Sequence, residues 1–368
     1  MLKSLRAVVR FVQDTIGWNK IGFLLSLTII AIAAVVLFRM LHDLDGDAVV
    51  AALQATRTHQ IVFAALFVAG GYFTLTFYDW FALHTIGRSE IPYRIAALSG
   101  FTSYAVGHNI GATVFTGGAV RYRIYSGFGL DAVEVAKLCF VAGLTFWLGN
   151  ATVLGLSVSI EPQAAAPITQ LPGWANRGIA LIILAVLFSY VAWVWSAPRD
   201  IGRGGWTVQL PRGPLTLLQI VIGLFDLGFC AMAMWMLLPN EPHLGFVTIL
   251  VVFVTATLLG FASHAPGGLG VFDATMLVAL WQFNKEDLLA GLLLFRLLYY
   301  LCPFIVALAV LGTREVLLNA RRTRPVPLGK KLRIVSVTAP IRTEIEAEKT
   351  ESTEHGRDRR ARRTREPG

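Results

Sequence analysis

Two glycine-rich stretches interrupt otherwise apolar sequence, and each carries side chains able to handle a charged ligand. The later one, Ser263-His264-Ala265-Pro266-Gly267-Gly268-Leu269-Gly270-Val271-Phe272-Asp273, breaks an apolar run with a proline and three glycines and ends on a carboxylate. The earlier one runs Gly107-His108-Asn109-Ile110-Gly111-Ala112-Thr113-Val114-Phe115-Thr116-Gly117-Gly118-Ala119-Val120-Arg121-Tyr122-Arg123. Glycines let backbone N–H groups turn toward an anion, and an arginine fork matches a phosphate. Arg121 and Arg123 also fit ordinary snorkelling residues at an interface. His108 and Asn109 suit either a ligand or proton-relay role or the repair of backbone groups freed at the break, and His264 suits a cap.

Two further charges sit deep in apolar sequence: Arg296 within Gly291-Leu-Leu-Leu-Phe-Arg-Leu-Leu-Tyr-Tyr300, and Asp226 within Gly223-Leu-Phe-Asp-Leu-Gly228. A charge at such depth costs about 2.5 to 3.5 kcal/mol on insertion scales, so Arg296 needs a partner or a wet cavity. Asp226 is the first candidate partner and Asp273 the second. One reading is an internal ion pair that fixes helix packing. The other is a headgroup site with Arg296 on a phosphate and a carboxylate on a cationic group or a proton. The candidate substrate-binding set is therefore Arg121, Arg296, Asp273, Asp226, His108, Asn109, Gly117, Gly118, Gly267, Gly268 and Gly270. Asp79, between Tyr78 and Trp80, reads as a solvated residue in an interfacial aromatic belt, and Asn150 is a weaker candidate.

No Walker loop, dinucleotide fingerprint or nucleophile elbow occurs, and Cys139, Cys230 and Cys302 lack metal or disulfide spacing. Neither a catalytic residue nor a metal, cofactor or nucleic-acid partner is expected.

The elements that must position these residues are membrane helices. Apolar residues make up 55% of the 368-residue chain and charged ones 15%, and the mean hydropathy is +0.62, values that exclude an ordinary soluble domain. Apolar runs near the length of about 20 residues that crosses a bilayer fall at roughly 21–41, 61–80, 94–115, 135–159, 177–197, 215–238, 244–262 and 287–312. The expected fold is an all-α polytopic membrane protein with about eight such segments. Lysine and arginine concentrate in cytoplasmic loops. If 94–115 crossed fully, Arg121, Arg123 and the basic loop 198–214 would lie outside. Treating 94 to about 120 as a re-entrant hairpin from the cytoplasm, and 244–285 as one from outside, restores the charge rule. The two units then point opposite ways, as in an inverted repeat with broken helices. Eight full crossings are the competing arrangement.

Residues 1–20 form a basic cytoplasmic N-terminus ahead of an uncleaved anchor, and 21–312 form the transmembrane domain. Residues 313–368 form a polar tail, expected to be disordered and cytoplasmic, that contributes about +7 of the net +9. Its juxtamembrane cluster from Arg314 to Arg333 suits anionic headgroups or a positive-inside stop signal.

The segments Gly107–Arg123 and Ala265–Asp273 together resemble the two glycine-rich motifs of the lysylphosphatidylglycerol synthase transmembrane-region family, over about residues 20–312. The second motif commonly ends in glutamate there, and Asp273 keeps the charge on a shorter arm. The resemblance implies a flippase-like domain of a bacterial inner (plasma) membrane protein, multi-pass with both termini cytoplasmic, that binds and translocates an anionic or aminoacylated phospholipid. In two-part members a soluble domain transfers the amino acid. That domain is not expected in this tail, so the chain itself is read as no enzyme. The alternatives are a membrane enzyme or subunit acting on a lipid-linked precursor, with Asp273 or Asp226 as base, and a scaffold whose tail docks a cytoplasmic synthase.

Overall fold

A computed structural model describes Asp47, Val50, Ala51, Gln54 and residues 56–322, apart from Gly204, Gly205, Asn240 and His264. The basic N-terminus, the apolar segment at 21–41, His264 and the chain beyond 322 lie outside the described residues. Among the described residues the structure is helical apart from one small β-ribbon and the connecting turns, in keeping with the composition. Among the described residues the longer helices in order are α1 (Thr58–Thr85), α2 (Tyr93–Ile110), α3 (Thr113–Tyr125), α4 (Ala132–Ile160), α5 (Gly173–Ser196), α6 (Gly213–Leu237), α7 (Phe246–Ala262), α8 (Val271–Ala279), α9 (Lys285–Phe295) and α10 (Cys302–Arg322). A π-helical turn, Arg296–Leu301, joins α9 to α10, and the antiparallel ribbon β1 (Asp200–Arg203) and β2 (Trp206–Gln209) precedes α6. Among the described residues five helical stretches are long and apolar enough to cross a membrane: α1, α4, α5, α6 and the α9–α10 unit.

Where the sequence places segments 94–115 and 244–262, the chain forms hairpins. Gly111 at φ 83° and Ala112 at φ 45° end α2 and turn the chain into α3. A Cβ on Gly107 would lie 2.8 Å from Thr113 Cγ2, and one on Gly117 would lie 3.1 Å from the Ser103 carbonyl. These matched spacings mean that α3 runs back along α2. In the second hairpin Gly267, Gly268 and Gly270 all have positive φ, a backbone that only glycine adopts without strain. A Cβ on Gly268 would lie 3.3 Å from Gly260 Cα, and the Phe253 and Phe272 rings are 5.7 Å apart, so α8 runs back along α7.

Bonds between elements fix which termini share an end of the bundle. Arg88, before α2, pairs with Glu134 in the first turn of α4 at 2.6 Å, which puts the start of α2 and the start of α4 together. Arg123 on α3 pairs with Glu315 on α10 at 2.7 Å, and Trp206 of the ribbon packs on Phe140 of α4 at 5.6 Å. Arg88, Arg123, Arg199 and Arg212 therefore gather at this end. At the other end Thr248, in the first turn of α7, donates to Glu161 just past α4, and a Cβ on Gly291 of α9 would lie 2.6 Å from the Leu237 carbonyl that closes α6. This folding-back rules out eight full crossings, because the start of α2 and the start of α4 would then sit at opposite ends.

The order is a crossing helix, a hairpin and a crossing helix, found once as α1, α2–α3, α4 and again as α6, α7–α8, α9–α10, with α5 between. The two halves meet along α1 and α6 and again where α4 and α6 cross. Backbones touch there: a Cβ on Gly149 would lie 2.7 Å from Gly223 Cα, and one on Gly223 would lie 2.6 Å from Gly149 Cα. Gln219 on α6 donates to Thr145 Oγ1 on α4 at 2.8 Å, one turn away from this crossing. At bilayer depth small residues and interhelical hydrogen bonds of this kind replace the hydrophobic effect as the glue between helices. The last helix continues past Thr313 to Arg322, so the change in composition at 313 does not mark its end.

Candidate functional site

The tips of the two hairpins meet at a single cavity of about 180 Å³. Gly111 to Phe115 contribute from the first tip and Ala265, Gly267 and Gly268 from the second. His108 and Tyr104 of α2, Asp226 of α6, and Tyr299 and Tyr300 of the π turn complete its polar wall. Most of the remaining lining is apolar, and at its edge, beside Val114, Phe146 and Phe261, Phe115 is 79% exposed.

Each tip is braced by an arginine–carboxylate pair. Arg121, 4% exposed, donates from Nε to Asp79 Oδ1 at 2.9 Å and from Nη2 to the same oxygen at 2.7 Å. Tyr125 adds a hydroxyl donor to Asp79 Oδ2 at 2.8 Å, and the Arg121 guanidinium lies 4.7 Å from the Tyr104 ring centre. Asp79 is fully buried, which corrects the reading of it as a solvated belt residue. Its desolvation is repaid by three donors and a matched charge, the condition under which a buried pair is tolerated. Arg123 is likewise no lone snorkelling residue, since both Glu315 oxygens accept from its Nη2.

At the second tip Arg296 pairs with Asp273, Nε to Oδ1 at 3.0 Å and Nη2 to Oδ2, and donates from Nη1 to the Gly267 carbonyl at 3.3 Å. The Gly270 N–H donates to Asp273 Oδ2 at 3.2 Å. Arg296 thus ties the break at Pro266–Gly268 to the start of α8. Its partner is Asp273 and not Asp226, which corrects the order of candidates drawn from sequence: the hairpin carries Asp273 back into the bundle alongside the π turn.

Asp226, 5% exposed, has no arginine. Tyr78 donates to its Oδ2 at 3.0 Å, and the Cys230 thiol lies 4.0 Å from Oδ1. Asn109 repairs backbone, donating from Nδ2 to the carbonyls of Ala105 at 2.8 Å and Tyr300 at 3.1 Å. The π turn supplies acceptors of this kind because its wider winding takes carbonyls out of the regular helical ladder, and Tyr72 uses a second one, donating to the Tyr299 carbonyl at 3.0 Å. His108 stacks on Tyr299 with ring centres 6.0 Å apart, and its Nδ1 is buried without a partner.

Of the candidates taken from sequence, His108, Asp226, Gly267 and Gly268 line the cavity. Arg121, Arg296 and Asp273 stand behind it in ion pairs. Gly117 lies against α2 and Arg121, Gly118 faces Cys139 of α4, and Gly270 serves the turn into α8. Sequence reasoning missed Tyr78, Tyr104, Tyr299 and Tyr300, whose only signal is a hydroxyl in an apolar helix.

Comparison with known proteins finds relatives by sequence. An uncharacterized protein of Synechocystis is 29% identical over 287 residues, covering 77% of this chain and 88% of its own. The inner membrane protein YbhN of Escherichia coli is 27% identical over 241 residues, 63% of this chain and 72% of its own. The phosphatidylglycerol lysyltransferase of Staphylococcus xylosus is 26% identical over 317 residues. The homologues thus include phosphatidylglycerol lysyltransferases. That alignment takes 82% of this chain but 35% of the lysyltransferase, so the chain spans about a third of that longer relative. No family model matches the sequence. The resemblance first carried by the two glycine-rich motifs is upheld: the chain is a multi-pass membrane protein related to inner membrane and lysyltransferase proteins.

Proposed function

We propose that this protein binds a phospholipid by its headgroup in the cavity between the hairpin tips and moves it between membrane leaflets. The observation that carries the reading is the convergence of two oppositely directed hairpin tips on one cavity, mainly apolar, into which a few polar groups, Asp226, His108 and three tyrosines, are set. Broken backbone at bilayer depth is tolerated where it lines such a cavity, and repeats of opposite direction provide access from either side. At about 180 Å³ the cavity is below the several hundred Å³ of a site that encloses a whole small ligand. It fits part of a headgroup, with the acyl chains outside past Val114 and Phe115.

The charge rule supports reading the basic end that gathers Arg88, Arg123, Arg199 and Arg212 as the cytoplasmic one, and both termini are assigned to that side in this proposal. Under this reading the protein is a carrier of lipid rather than the catalyst of aminoacyl transfer, and the basic tail attracts anionic headgroups or a cytoplasmic synthase. Reconstitution tests it. Vesicles holding the purified protein should accelerate exposure of a fluorescent anionic or aminoacylated phospholipid to an external quencher. No acceleration with anionic, zwitterionic and aminoacylated lipids alike would remove the proposal.

A further inference from the structure

Asp226 is the only carboxylate among the described residues that line the cavity, and no arginine or lysine is among them. The two arginines near the tips are matched to other carboxylates, Arg121 to Asp79 and Arg296 to Asp273, and no ion pair among the described residues includes Asp226. The groups that face it are Thr74 and Tyr78 from α1, Tyr104 and His108 from α2, Cys230 on its own helix and Tyr299 from the π turn. None of these carries a fixed positive charge. An ionised carboxylate held among aromatic rings at bilayer depth is strongly disfavoured, so the group must take up a proton or a cation. A hard metal cation collects about six or more oxygens. Asp226 offers its own two and the Tyr78 and Thr74 hydroxyls, with a thiol at 4.0 Å.

We infer that Asp226 is a proton-binding site opening on the cavity, and that lipid movement through the cavity is coupled to its loading and unloading. The step is a simple transfer. Oδ1 takes a proton from water in the cavity. Tyr78 goes on donating to Oδ2, and the reverse transfer returns the proton to water. The coupling rests on the transport reading above; the proton site does not.

Infrared titration of the purified full-length protein decides the site. Protonated carboxyl gives a C=O stretching band; the expected result is a band that is present in wild type, vanishes at high pH, is lost in Asp226→Asn, is shifted in Asp226→Glu and survives in Asp273→Asn and His108→Gln. A wild-type spectrum unchanged by Asp226→Asn, with Asp226→Glu also showing no shift, overturns it. For the coupling, an imposed pH difference of one unit should change the steady-state leaflet ratio of a fluorescent phospholipid by up to about tenfold when one proton moves per lipid. Asp226→Glu should retain this response. A ratio indifferent to the gradient in wild type refutes coupling. Absence of any protein-dependent flipping refutes the transport reading, and the infrared result still stands or falls by itself.

Discussion

Replacing Asp79 by alanine should be among the most damaging single changes in this protein. The substitution strands the Arg121 guanidinium at 4% exposure, removes all of its bonds to Asp79 and leaves the Tyr125 hydroxyl without its acceptor. Breaking a buried ion pair by removing one partner costs about 3 to 5 kcal/mol, and an orphaned hydroxyl adds about 1 kcal/mol or more. At roughly 2 to 4 °C per kcal/mol for a domain of this size, the ion-pair loss alone lowers the unfolding midpoint by about 6 to 20 °C. Removing both charges behaves differently, because apolar replacement of a whole buried pair is often neutral or stabilising by about 1 to 4 kcal/mol. The Asp79→Ala, Arg121→Met double variant should therefore recover most of the loss. The assay is thermal unfolding of detergent-solubilised protein for the four members of the double-mutant cycle, together with the amount found in the membrane fraction. Equal stability of the single variant and wild type, or a double variant no better than either single, refutes the reasoning.

The crossing of α4 and α6 makes Gly223→Val destabilising by about 1 to 3 kcal/mol through overpacking, whereas Gly228→Ala, with nothing within 4 Å of the new Cβ, should stay within about 0.5 kcal/mol of wild type; thermal unfolding compares them. Arg296→Ala frees the Gly267 carbonyl and Asp273, so amide hydrogen exchange across 265–273 should speed up while exchange in α1 and α4 is unchanged. Cysteines introduced at Ser126 and Gln163 should be labelled by an impermeant reagent from opposite faces of the membrane, Ser126 from the cytoplasmic face; eight full crossings demand the reverse assignment.

The spanning helices were legible because bilayer thickness sets a length and lipid sets a composition, and α4 at Ala132–Ile160 departs from its expected 135–159 only at the ends. The breaks were legible because Gly267, Gly268 and Gly270 adopt φ values that side chains resist. Charge alone also implied the hairpins, since only re-entry kept Arg121, Arg123 and the loop 198–214 on one side. Partnerships were not legible. Asp79 and Arg121 are 42 residues apart and meet only because a hairpin returns one of them to α1. Depth within a helix cannot rank Asp226 against Asp273 as the partner of Arg296, since the answer depends on where α8 lands. The Gly149–Gly223 contact was equally hidden, as neither residue stands out in sequence where glycine is common.

The π turn at Arg296–Leu301 has one more effect. Each residue of an α-helix turns its successor by about 100°, so the looser winding of a π turn resets the rotational phase of everything that follows it. Arg296 can then face the second hairpin tip while Glu315, farther along the same continuous helix, faces Arg123 beyond the first. One helix thereby serves both halves of the molecule, and its local winding, more than any side chain along it, sets the angle between those two duties.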